Sequence, residues 1–374
     1  MTRPALSPTV RELVRRRPVF DAHADSIGRA LDLGHDLGRS GPGHLDLVRG
    51  AAGGLGAWVV VCWVDPELYL ERSFERAAAM LGEAQRLAER HPERFRIVGD
   101  AGELRAAREA GCVAGILGIE GGHAIEEDLA KLEWFHAHGL RVLTLVWNNH
   151  LAWVRSCQAG AGAGVPAGLS PFGREVVQRM NELGIVVDLS HAGERSFFDA
   201  LAATTQPTIA SHSACMFLHE HPRNLTDEQL RALAENGGVV GIVFHPGFLD
   251  ADARAEEARV RQTARYREIS RDDPAACFLQ QQGVMRELAS PMSAQRLVDH
   301  VVHAVEVAGI DHVGIGSDYD GIERGPEWME DATGYGVLAE LLVRRGFSID
   351  DCQKVLGANM ERVFAAVTAG GSAP

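Results

Sequence analysis

No stretch of this 374-residue chain reaches the roughly 18 consecutive apolar residues that a membrane-spanning helix needs. The opening segment, MTRPALSPTVRELVRRRPVF, has no apolar core and no small-residue cleavage site. Residues 365–374 are small and polar where a lipid-anchor signal would be apolar. The six cysteines (Cys62, Cys112, Cys157, Cys215, Cys277 and Cys352) include no C-x-x-C pair, which suits a reducing compartment where each acts as a small hydrophobe. No basic stripe relieves a net charge of −14, so neither nucleic acid nor an anionic membrane surface is an expected partner. The glycines of 160–164 lack a phosphate-loop lysine, and no G-x-G-x-x-G joins a strand to a helix, so nucleotide binding is not expected. There is no internal repeat. The expected location is the cytoplasm.

A hydrophobic fraction of 46% is enough for a substantial core. Eight short apolar runs punctuate the chain, at 19–25, 57–64, 113–120, 141–148, 185–191, 208–212, 239–245 and 312–318. Most are rich in Val and Ile and do not alternate, which is how strands buried on both faces read. Helical patterns separate them, at 74–88, 128–138, 171–183, from Thr226 to about 236, at 292–307 and at 338–345. Ser170-Pro171 opens one of these and Gly184 closes it. Thr226-Asp227-Glu228-Gln229 is a capping box. Eight strands with intervening helices predict a (β/α)8 TIM barrel, a single domain over 1–374. Residues 247–291 are too long for a simple loop between strands 7 and 8. Their charged, helix-patterned centre at 254–268 predicts an inserted helical lid.

A barrel predicts that functional polar residues sit at the C-terminal ends of its strands. Strand 1 ends in His23 and Asp25, which alternation places on one face. Strand 3 ends in Glu120, followed by Gly121-Gly122. Strand 5 runs to Asp188-Leu189-Ser190-His191, strand 6 to Ser211-His212-Ser213, and strand 8 to Ser317-Asp318-Tyr319-Asp320. A lone strand-end histidine is more often structural than a ligand. Five such placements at one end of one barrel argue for a metal. The set His23, Asp25, Glu120, His191 and His212 has the nitrogen and oxygen composition that suits zinc or a similar divalent ion. It exceeds the needs of one tetrahedral site with an open position. Two metals sharing Glu120 as a bridge would use all five, and their charge would bring a bridging water toward neutral pKa.

These motifs, together with Gly118-Ile119-Glu120-Gly121-Gly122-His123 and His221-Pro222-Arg223-Asn224, resemble the membrane (renal) dipeptidases, binuclear zinc enzymes of the amidohydrolase superfamily. The resemblance covers nearly the whole chain, from about Phe20 to Phe364. It implies that His23, Asp25 and Glu120 hold one Zn2+ and Glu120, His191 and His212 the second. It implies that Arg223 binds the carboxylate of a dipeptide substrate and that Asp320 shuttles the proton. Family members hydrolyse dipeptides, tolerate a D-residue at the C-terminal position, in some cases open β-lactam rings, and are often homodimers. A zinc-dependent dipeptidase, acting through a metal-bridging hydroxide, is the expected function.

Two departures stand out. Where the family typically has Thr-Leu-Thr-His, this chain reads Thr144-Leu145-Val146-Trp147, so the role of polarising the substrate carbonyl passes to His150, three residues on. Signal and anchor segments are also missing, which bears on location and leaves the chemistry as it is. On motif resemblance Asp320 is favoured over Asp318 as the shuttle. Asn148 and His123 are expected to support the ligands or the fold. The alternatives are cyclic-amide or β-lactam hydrolysis or deamination on the same site, or a metal-binding or partner-binding barrel that has lost catalysis. Arg223 suits a free carboxylate and has no evident use with a nucleobase.

Overall fold

Parallel strands buried on both faces account for the Val- and Ile-rich runs. The computed structural model describes residues 2–270 and 273–370. Residues 271 and 272 of the expected insertion, and the last four of the segment read for an anchor signal, lie outside them. Among the described residues nine strands form: β1 (Val19–Ala24), β2 (Leu55–Trp63), β3 (Phe95–Ile97), β4 (Val113–Glu120), β5 (Leu140–Thr144), β6 (Val186–Asp188), β7 (Ile209–Ser213), β8 (Val239–Ile242) and β9 (Val313–Ile315). They run in the order β2-β1-β9-β8-β7-β6-β5-β4, and β2 pairs with β4 from Ala57↔Ala114 to Trp63↔Glu120, which closes the ring. The result is an eight-stranded parallel barrel with flanking helices, the (β/α)8 architecture the sequence predicts. β3 is additional and lies beside the start of β4. With Phe95 buried and Arg96 exposed, it leaves no apolar run to detect.

One apolar cluster shows how the barrel is filled. Phe20, Ala22, Val59, Ile116, Val142, Val186, Ile209 and Val239 come from seven strands and pack with Met360, Val363, Phe364 and Val367 of the helix Asn359–Gly370. A small barrel has room inside only for such layers of side chains. This filling uses the beginnings and middles of the strands, so the polar residues are left at their ends.

The predicted caps are present. The Ser170 hydroxyl accepts from the Gly173 amide, Pro171 opens the helix Pro171–Leu183, and Gly184 closes it at φ 71°. Thr226 and Gln229 cap the helix Asp227–Glu235 reciprocally.

Between β8 and β9 the chain forms Pro246–Leu249, Ala251–Arg261, Ala264–Arg267 and Pro274–Leu288, before the helix Ala294–Ala308. The expected helical centre is broken at Thr263, whose hydroxyl caps a fresh short helix. Val260, Val284 and Met285 form a small core of their own with Tyr266, Ile269 and Leu288 packed against it. Several contacts tie this unit to the loop after β9, among them two from its longer helices. Gln282 Nε2 donates to the Ile322 carbonyl (3.2 Å), and Arg261 pairs with Glu323 (3.2 Å). Among the described residues no helix is long and apolar enough to cross a membrane.

Candidate metal centre

Strand ends carry five potential ligands into one place. His23 lies within β1, Asp25 just beyond it, Glu120 at the end of β4, and His212 within β7. His191 follows β6 at φ 65°, a left-handed turn that swings its ring back toward the barrel axis. Glu120 Oε1 lies 2.8 Å from His191 Nε2, 3.3 Å from His212 Nε2 and 3.7 Å from His23 Nε2. Asp25 Oδ2 is 3.6 Å from His23 Nε2. Two donor sets therefore share one carboxylate: His23, Asp25 and Glu120, and Glu120, His191 and His212.

The electrostatics of the site favour a cation. Burial would lower the His23 imidazole, but the Glu120 and Asp25 charges outweigh it and push His23 up to about 10. Burial, then the Arg223 charge, bring His191 down to about 4; burial and the His23 charge also lower His212. Neutral imidazoles are the form that ligates a metal. Burial would raise Glu120, yet the His23 charge and hydrogen bonds from His191 and His212 hold it well below the usual carboxylate range. His23 Nε2 and both Asp25 oxygens are buried without a hydrogen-bond partner among the described residues. Buried polar atoms are seldom left so, since each costs free energy of desolvation. A divalent ion with nitrogen and carboxylate ligands would satisfy all three, so the residues present fit a metal.

Ser211 holds the ring orientations from behind. Its hydroxyl lies 2.6 Å from Asp188 Oδ2, 2.8 Å from His212 Nδ1 and 3.3 Å from His23 Nδ1. Donating to the carboxylate leaves its lone pairs for the two Nδ1–H groups, so each Nε2 is turned to the centre, with a lone pair on His212 and, once a metal displaces its proton, on His23. Asp188 also lies within reach of His23 and His212 as a candidate ligand. Its oxygens are already taken by the Thr144 and Ser211 hydroxyls and the Ser190 and Ser211 amides. Ser211 and Asp188 stand in the sequence motifs without a task legible there; a serine beside a ligand histidine is the signal of it. Asn148 Oδ1 accepts from His191 Nδ1 (3.0 Å), which orients the third imidazole. His123 Nε2 bonds the Val64 carbonyl (2.9 Å) and so joins the chain after β4 to the chain after β2.

Asp320, expected to shuttle the proton, is held by five hydrogen-bond donors. Its carboxylate accepts from the Ser26 hydroxyl, from Arg29 Nε (3.2 Å) and Nη2 (3.0 Å), and from the His44 (2.7 Å) and Leu45 (3.3 Å) amides. Burial is outweighed by the Arg29 and His44 charges and these hydrogen bonds, and the group falls to about 2. A carboxylate held by five donors and depressed this far is a weak acceptor for a water's proton. Asp318 instead stands with the ligands. A Cβ on Gly321 would lie 2.2 Å from Asp318 Oδ1 and 2.4 Å from Asp25 Oδ2, so both carboxylates flank that glycine. Burial and the Glu120 charge raise Asp318, against the pull of His23 and Arg223.

Arg223 is only 3% exposed. Its Nη2 donates to the His212 carbonyl (3.0 Å), and its guanidinium lies over the Phe248 ring at 5.5 Å. It lines a cavity of about 320 Å³ together with His191, Ser213, Asn224, Cys157 and Gln158. His150 Nδ1 accepts from the Ser156 amide (3.2 Å), which puts the ring proton on Nε2. Trp147 packs against Trp63 (5.1 Å) and His191 (6.2 Å).

Residues 8–372 match the family described as membrane dipeptidase, peptidase family M19. The chain belongs to that family. It is a metallo-dipeptidase. An uncharacterised dipeptidase of Schizosaccharomyces pombe is 29% identical over 373 residues, which are 95% of this chain and 81% of the relative. A metallo peptidase from Rhodobacter sphaeroides, solved with a phosphinate mimic of the dipeptide L-Ala-D-Ala, is 28% identical at a TM-score of 0.78, over 94% of this chain and 99% of its own. The probable dipeptidase PvdM from Pseudomonas aeruginosa shares the fold at a TM-score of 0.83 and 24% identity, over 96% of this chain and 98% of its own. A metallo-dipeptidase of family M19 needs a metal. Among the described residues, every group of three or more His, Cys, Asp or Glu side chains placed to hold one lies at these strand ends.

Proposed function

We propose that this dipeptidase holds two zinc ions, one on His23, Asp25 and Glu120 and one on Glu120, His191 and His212, and cleaves dipeptides with an L- or D-residue at the C-terminal position. The observation that carries the reading is the position of Glu120 Oε1, within 3.7 Å of one imidazole from the first set and both from the second. Bound there, two divalent cations would polarise the peptide carbonyl and make a water nucleophilic near neutral pH. Asp318, beside Asp25, is the group we assign to take the proton of the attacking water and pass it to the leaving amine, in place of Asp320. His150, its proton on Nε2, donates toward the carbonyl oxygen as charge develops there. Arg223 receives the substrate's carboxylate in the cavity beside His191. Tolerance of a D-residue is supported by the L-Ala-D-Ala mimic seated in the Rhodobacter sphaeroides relative.

The test is hydrolysis of L-Ala-L-Ala and L-Ala-D-Ala by the zinc-loaded protein, each with a free and an amidated C-terminus. Both free dipeptides are expected to be cleaved, and the amides far more slowly. Equal cleavage of amides would remove Arg223 from the account, and no cleavage of the D-isomer would remove the tolerance.

A further inference from the structure

Three buried polar atoms around the cavity beside His191 have no hydrogen-bond partner among the described residues: Arg223 Nε, Ser213 Oγ and Asn224 Oδ1. Arg223 and Asn224 are each 3% exposed and Ser213 is fully buried. A satisfied interior leaves few such atoms, so three on one cavity wall point to a ligand. Their positions are linked. Arg223 Nη2 holds the His212 carbonyl, which belongs to the peptide unit leading into Ser213, so the guanidinium sits beside that serine. The Ser213 carbonyl is fixed in turn by the Val243 amide (3.0 Å). Asn224 has no freedom to flip. Its Nδ2 donates to the His219 (2.9 Å) and Phe248 (2.7 Å) carbonyls, so its oxygen faces the cavity as an acceptor.

We propose that Ser213 is a second ligand of the substrate's C-terminal carboxylate, its hydroxyl donating to one oxygen while Arg223 Nε–H donates to the other. The inference rests on the dipeptidase reading and extends it to a residue that reading does not use. A carboxylate is the ligand that fits, because it offers two acceptors to two unsatisfied donors. Asn224 Oδ1 would repel it, so the carboxylate turns toward Ser213 and Arg223. The same acceptor disfavours an acidic C-terminal side chain on that wall.

Ser213→Ala separates this role from a structural one. A hydroxyl with no partner in the free protein contributes nothing to folding, so the variant should melt at the wild-type temperature or slightly above. A hydrogen bond to a charged group is worth about tenfold or more in binding, so KM for L-Ala-D-Ala should rise by about that factor. The inhibition constant of a phosphinate dipeptide mimic with a free carboxylate should rise alike, and that of its C-terminal amide should barely move. Unchanged constants for the free-carboxylate compounds would overturn the proposal, as would equal losses for acid and amide, or a fall in melting temperature matching the loss of binding. A wild-type protein that cleaves no dipeptide would instead overturn the reading beneath it.

Discussion

At the scale of single residues, two aspartates two positions apart have opposite surroundings. Asp320 is locked by Ser26, Arg29 and two backbone amides, while Asp318 stands with Asp25 against Gly321. Asp318→Asn is expected to lower kcat at least ~10²-fold and leave the metals bound, because an amide cannot accept the water's proton. Asp320→Asn is expected to cost stability instead, since it strips the buried Arg29 of its counter-charge. A steep loss of kcat in a well-folded Asp320→Asn protein, with near-normal kcat in Asp318→Asn, would reverse the assignment. The pH dependence follows from the depressed Asp320 group, at about 2 when folded against 3.8 ordinarily. Its contribution, roughly 2 kcal/mol, is present above about pH 4 and is lost as pH falls through about 2. Denaturant melts of metal-free protein should therefore show a smaller acid loss for Asp320→Asn than for wild type.

At the scale of elements, the ligands depend on how closely β7, β8 and β9 approach. A Cβ on Gly316 would lie 1.8 Å from the Ser211 carbonyl, and one on Gly241 would lie 2.0 Å from it. Gly316→Ala must therefore displace the strand end that carries Ser211 and His212. It should lower both the melting temperature and zinc affinity, the latter by about 10- to 100-fold if ligand orientation is lost. Gly283→Ala, in the exposed middle of the helix Pro274–Leu288 with nothing within 4 Å, should raise stability by up to about 1 kcal/mol and leave metal binding alone. A Gly316→Ala protein with wild-type zinc affinity would show that the close approach does not position the ligands.

Elements and ligands differ in how far the chain announces them. The barrel strands were legible because burial on both faces leaves runs of Val and Ile, and the helices because Ser170, Gly184 and Thr226 mark their ends. The helices Ile27–Leu33, Leu47–Gly53, Ala101–Glu109 and Glu194–Ala203 were not picked out, being short and lacking long apolar stripes. In β1 alternation brings His23 and Asp25 together as expected but does not extend to Asp21. Regular pleating would place Asp21, His23 and Asp25 on one face, but the register with β2 shifts between Asp21 and Ala24. Asp21 accordingly accepts from the Ser317 amide and the Tyr335 hydroxyl, while His23 turns to Glu120. Asp318 and Asp320 could not be told apart in the chain. Both take left-handed backbone, φ 61° and 65°, and what separates them comes from residues nearly 300 positions earlier.

At the scale of the molecule, the filled end of the barrel and the helical unit after β8 leave one region where polar groups gather. That unit carries its own small core and is tethered to the loop after β9, next to Asp318 and Asp320. It also supplies Phe248, the ring under the Arg223 guanidinium, while His191 is common to the cavity and the metal centre. In the proposed centre Glu120 joins two metal-binding sets into one site. Elemental analysis of the purified protein, set beside its Glu120→Gln, His23→Ala and His191→Ala variants, tests it most directly. About two zinc ions per wild-type chain are expected, with partial loss in either histidine variant, the largest loss in Glu120→Gln, and activity following the second equivalent of metal. A single equivalent that sustains full activity, or a Glu120→Gln protein that keeps both ions, would contradict it.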